Sequence, residues 1–346
     1  MQTKLLKRVP LNRLMDLKVD YAFKQLFGIE KNKEITVVFL NAVLQRNGRQ
    51  SIKDISFVNT EMGGEYEEDK RSRLDILAVT NNHEQVNIEI QFTNQFDMIK
   101  RSIYYWSGVY RAPMKKKMGY KELHPVIAIN ILNFDFLKQT DRFHTTYHLY
   151  EDNELFKLTD VMEFHFLEMP KLINDWKREN LDPWNDLLAR WMLLLGIVDH
   201  RNGKIYEDIY KELEAIAMND ETLKTAFQSW DRLSSTQEEV LAYEARLKQV
   251  LDEEAARREA ELREQEALER GMKEGMKEGI KEGTVKGLID SINNFLDVTF
   301  PDQETKAVQE KLETIKNSSD LKELQKKMYK AKSWKDIEQL VNDYAK

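Results

Sequence analysis

Apolar residues along this chain recur in two different rhythms, and the rhythm changes at definable points. From residue 11 to 47, Phe23, Phe27, Ile35, Phe39 and Val43 fall at helical spacing. Between 52 and 92 the step shortens to two, the alternation of extended strands. Residues 96–112 return to helix, and 124–150 and 163–168 read as strand. From Pro170 onward the pattern is almost wholly helical. Leu181–Gly196 carries an Asp-Pro start and a Gly stop, and 205–233 carries further helix pairs.

Two strands stand out within this pattern. In Val86–Phe92 the apolar Val86, Ile88, Ile90 and Phe92 alternate with Asn87, Glu89 and Gln91. Glu89 and Gln91 therefore share one face, roughly 7 Å apart. The preceding strand, Arg73–Val79, is apolar apart from its first residue and Asp75. The polar connector Thr80–Glu84 suits a hairpin loop. Pairing Val79 with Gln85 sets Asp75 opposite Glu89, with Cβ atoms about 5 Å apart. Two carboxylates this close repel unless a cation or proton lies between them. Facing carboxylates on adjacent strands are the minimum apparatus for holding a divalent metal against a phosphodiester. The bland alternative is an edge hairpin whose polar face is wet. Asp75 fits that alternative poorly, because the rest of its strand is apolar on both faces.

The composition changes near residue 237. Residues 237–270 are highly charged and poor in glycine and proline, and they fit one long exposed helix laced with i,i+3 and i,i+4 ion pairs. A four-residue repeat follows, placing Gly271, Gly275, Gly279, Gly283 and Gly287 on one slowly winding stripe beside Met272, Met276, Ile280 and Val285. Each interior glycine costs about 1 kcal/mol relative to alanine. The segment is therefore either a weakly helical hinge or a surface where a second helix approaches closely. The second option predicts self-association through Gly271, Gly275, Gly279 and Gly283. Amphipathic helices resume from 288 and predict a small terminal bundle. The expected divisions are 11–236, 237–290 and 291–346.

The 346 residues include no cysteine, which excludes disulfides and thiolate metal sites. The six histidines show no metal-binding spacing, and no phosphate-binding glycine loop or Ser-His-Asp elbow occurs. The net charge of −7 is no footprint of bulk nucleic-acid binding. A local basic cluster, Lys115, Lys116 and Lys117 with Arg111 and Lys121, is either a solvated loop or a phosphate contact. The longest apolar run, Trp191–Val198, falls far short of the ~20 residues that span a bilayer. The N-terminus lacks a signal-peptide core. A cytoplasmic protein without membrane contact is expected.

With these residues in place, the chain resembles the PD-(D/E)XK nuclease superfamily, in particular its recombination-promoting, transposase-like (Rpn) branch. The resemblance rests on the joint order of Met15–Gly28, Ile35–Leu44, Arg73–Val79, Val86–Phe92, Lys100–Tyr110, His124–Leu132 and Phe164–Leu172, spread over about two-thirds of the chain. It implies an α+β fold, a restriction-endonuclease-like mixed sheet flanked by helices, followed here by an all-helical C-terminal region. It implies a metal-dependent DNA endonuclease linked to recombination or mobile elements, using Mg²⁺ or Mn²⁺. Oligomers would bring two sites together. Residue by residue, Asp75 takes the place of the superfamily's first aspartate, Glu89 that of the second carboxylate and Gln91 that of the lysine. Metal ligands would be Asp75, Glu89 and the Ile90 carbonyl, with Asp20 resembling an auxiliary acid. Leu74 replaces the usual proline. Gln91 is the weightier departure, since an amide can orient water but carries no charge. Lys24, Arg73 and Arg101 are candidates for the missing positive charge, and Arg101 joins the basic triplet as a candidate DNA contact. The rival reading is an inactive relative kept for DNA binding or assembly.

Overall fold

A computed structural model describes residues 5–58, 61–62, 72–94 and 97–345 of the chain. The chain divides into two compact units, 1–255 and 256–346.

The first unit opens with helices α1 (Asp20–Phe27) and α2 (Lys33–Val43). The single helical reading of 11–47 is thus corrected to two helices. The break falls at Gly28, where a Cβ would come within 2.9 Å of the Lys24 carbonyl and 3.1 Å of Ile76. Strands follow: β1 (Ile55–Phe57), the short pair β2 (Glu61–Met62) and β3 (Ser72–Arg73), then β4 (Ile76–Thr80) and β5 (Gln85–Gln91). Helix α3 (Met98–Arg111), β6 (Val126–Leu132), β7 (His144–His148) and β8 (Met162–Glu168) complete the sheet region. Then come α4 (Met169–Lys177) and α5 (Leu187–Gly196). A small hairpin of β9 (Val198–Asp199) and β10 (Lys204–Ile205) interrupts the expected all-helical stretch before α6 (Glu207–Ala217) and α7 (Glu221–Leu233). The N-cap of α5 is Asp186, which accepts from the amides of Leu188 and Ala189, so the helix starts later than the Asp-Pro pair suggested.

The main sheet has six strands in the order β1-β4-β5-β6-β8-β7. β1, β4 and β5 pair antiparallel, β5, β6 and β8 run parallel, and β7 closes one edge antiparallel to β8. This is the mixed sheet flanked by helices that the family resemblance implied. Alternation assigns the two faces. Val86, Ile88, Ile90 and Phe92 join a core with Phe23, Phe27, Phe39 and Trp191 from the helices on one side. Ala128, Leu132, Phe164 and Phe166 pack with Trp106 and Val109 of α3 on the other. The β4–β5 hairpin consequently lies inside the sheet, not at its edge. Asn87, Glu89 and Gln91 are buried on the α3 side, which overturns the wet-edge alternative. The Val79–Gln85 register is as expected.

Helix α8 (Gln237–Thr299) runs unbroken through the glycine repeat. Its first turns belong to the first unit. There the Tyr243 hydroxyl accepts from the Asp16 amide at 2.9 Å, and Tyr21 donates to Glu239 at 2.5 Å. In the second unit the later turns of α8, with α9 (Lys306–Leu312), α10 (Ser318–Met328) and α11 (Trp334–Tyr344), enclose a core of Ile292, Leu296, Leu312, Leu321, Leu324, Ile337 and Val341.

Candidate metal-dependent nuclease site

The sheet positions the acidic pair from two adjacent strands. Asp75 sits one residue before β4, and Glu89 lies in β5 with its side chain on the α3 face. The Asp75 amide donates to Glu89 Oε1 at 3.3 Å, and the Ile90 amide donates to Asp75 Oδ2 at 2.9 Å. Both side chains are largely removed from solvent. Burial pushes the Glu89 carboxyl well above the ordinary carboxylate range, with the Asp75 charge adding to the rise. Burial also raises Asp75, against the pull of Lys24. A charge withdrawn from water demands a counter-charge. The pair therefore favours either a proton or a cation.

Asp75, Glu89, Ile90 and Gln91 open into a cavity of about 440 Å³ that also takes in Asp20, Lys24, Phe92, Thr93, Arg101, Tyr105, Arg246 and Val250. Lys24 Nζ stands 2.8 Å from Asp75 Oδ1 and 3.9 Å from Asp20 Oδ2. Arg101 on α3 donates to Gln91 Oε1 at 3.3 Å and to the Tyr105 hydroxyl at 3.3 Å. Arg246 Nε donates to both Asp20 oxygens, at 2.8 and 3.1 Å. Three acids thus face three bases, and an anion as large as a phosphodiester would meet basic side chains on entry.

Asp75, Glu89, Ile90, Gln91, Asp20, Lys24 and Arg101 are therefore together in one cavity. The triplet Lys115, Lys116 and Lys117 is not: it lies in the exposed loop after α3, outside the cavity lining. The Arg73 side chain lies outside the described residues. Arg246 was missed in the sequence. It sits 226 positions from Asp20, in a charged helix with many similar residues, so no local signal marks it. The repeat glycines Gly271, Gly275, Gly279 and Gly283 lie in α8, and a Cβ built on any of them meets nothing within 4 Å.

Among the described residues no three His, Cys, Asp or Glu side chains are gathered closely enough to hold a metal ion. Asp75 and Glu89 bring two carboxylates, both hard oxygen donors, to the cavity. That set suits Mg²⁺ or Mn²⁺, which retain several waters, better than a soft metal. The Lys24 ammonium stands against Asp75 in that position. Among the described residues no helix is long and apolar enough to cross a membrane.

Residues 17–260 match the family described as PD-(D/E)XK nuclease family transposase, and the chain belongs to that family. No curated protein and no solved structure matches it.

Proposed function

We propose that this chain is a metal-dependent DNA endonuclease acting in recombination or mobile-element movement inside the cytoplasm. The observation that carries the reading is the buried Asp75–Glu89 pair, from adjacent strands, opening into a cavity lined by Lys24, Arg101 and Arg246. Asp75, Glu89 and the Ile90 carbonyl would hold Mg²⁺ or Mn²⁺. When bound, the ion lowers the pKa of a water and neutralises phosphate charge. The protein's own groups do the rest. Arg101 fixes the Gln91 amide by its Oε1, so an orienting amide and a guanidinium stand together where a lysine would stand alone. Lys24 brings a second compact positive charge to the Asp75 side. The cavity walls hold these groups before substrate arrives, and such preorganisation limits reorganisation during reaction. Oligomers formed through α8 would supply paired sites for cutting both strands.

Supercoiled and linear plasmid provides the test. The wild-type chain should cut with Mg²⁺ or Mn²⁺ and stop in EDTA. Asp75→Ala should lower the rate at least 100-fold, the scale on which loss of a transition-state electrostatic contact is felt. Cutting that is indifferent to metal, or undiminished in Asp75→Ala, rules the assignment out.

A further inference from the structure

Three cations enter the cavity, and their anchorage differs. Arg246 reaches both Asp20 oxygens through its Nε alone. Lys24 is a point charge on a flexible stem, placed between two acids. Asp75 Oδ2 accepts from the Ile90 amide, and Lys24 Nζ stands 2.8 Å from Oδ1, so the ammonium occupies the Oδ1 side of the carboxylate. A divalent ion approaching Asp75 through Oδ1 therefore meets the ammonium first. Asp20 stands one helical turn before Lys24 on α1, with Oδ2 at 3.9 Å from the same nitrogen. A rotation of the lysine stem would carry the charge from Asp75 to Asp20.

We propose that Lys24 is an exchangeable counter-ion. It holds Asp75 until a divalent cation displaces it, then moves to Asp20, where Arg246 fixes the receiving carboxylate. This rests on the metal-site reading above and adds a coupling to it. Metal entry and delivery of a free ammonium into the cavity become one event. Asp20 then acts as the receiving seat for the lysine and not as a metal ligand.

The experiment is Mn²⁺ titration of the full chain by calorimetry, with thermal melting alongside. Lys24 is partly exposed on α1, so Lys24→Met should fold, and melting shows that it does; Lys24→Gln serves as a second uncharged variant. Both should bind Mn²⁺ about tenfold more tightly than wild type, the order expected when one competing charge is removed from a cation site. Their metal-induced rise in melting temperature should be larger than that of wild type. Asp20→Asn should weaken Mn²⁺ binding in the wild-type background and leave it unchanged in Lys24→Met, a coupling that a double-mutant cycle reads directly. Equal or weaker Mn²⁺ binding by both Lys24 variants overturns the exchange alone. Equal weakening by Asp20→Asn in both backgrounds makes Asp20 a ligand and overturns it too. If wild type binds no Mn²⁺ at all, the metal site itself falls, and the exchange with it.

Discussion

At the scale of a single residue, the Glu89 carboxyl is at odds with its surroundings. The charged form is opposed by burial and by Asp75, so the ionised side chain costs stability whenever no cation compensates. Glu89→Gln keeps the shape and removes the charge. Metal-free Glu89→Gln should be more stable than wild type at pH 8, because the amide carries no charge for burial and Asp75 to oppose. Urea unfolding in EDTA checks this, and a variant less stable than wild type would show that the carboxylate is structurally satisfied. Asp75, Glu89 and Gln91 were legible because a period of two, with one hairpin register, places side chains without knowledge of the rest of the fold. Arg246 was illegible for the opposite reason. Its meeting with Asp20 depends on how α8 returns to α1, and no local rule encodes that return.

At the scale of elements, the pattern located most helices and strands but misplaced several ends. Ends are set by tertiary contacts: Gly28 stops α1 against Ile76, and Asp186 starts α5 through its own cap. Asp186→Ala should cost about 1 kcal/mol, the usual value of a lost N-cap, measurable by chemical denaturation. The edge strand β7 carries a pH-sensitive contact. His144 Nε2 lies 2.8 Å from His165 Nδ1, and burial first, with His165 second, holds the His144 pKa down to about 4 from 6.5. The unfolded chain binds the proton that the folded chain refuses, so between those values this group makes stability fall as pH falls. His144→Gln should flatten the stability profile between pH 7 and pH 5. A profile as steep as wild type would assign the acid sensitivity to another group. The glycine repeat admits a comparable test. Nothing lies near the missing Cβ atoms, so Gly275→Ala with Gly279→Ala should raise helix stability by about 1 kcal/mol per site in an isolated helix. If α8 self-associates through these glycines, the same changes should dissociate the oligomer in sedimentation velocity. An oligomer that survives them intact would place the association elsewhere.

The whole molecule is divided within α8, after residue 255, where the sequence suggested a boundary at 236. The change in composition at 237 is real, but it marks the start of a helix and not the end of the first unit. Tyr243, Arg246 and Val250 lie beyond 236 and pack on or line the first unit. A chain ending at 236 should therefore lose soluble expression or melt far below one ending at 260, and thermal melting of the two truncations distinguishes them. Under the proposed function, the buried acidic pair is retained for catalysis at the expense of stability. The most direct test is DNA cleavage by purified Glu89→Gln beside wild type, at matched Mg²⁺ and Mn²⁺, with melting curves on the same preparations. Glu89→Gln should fold, be more stable than wild type without metal, and cut at the EDTA background. A Glu89→Gln chain that cuts as fast as wild type would contradict it.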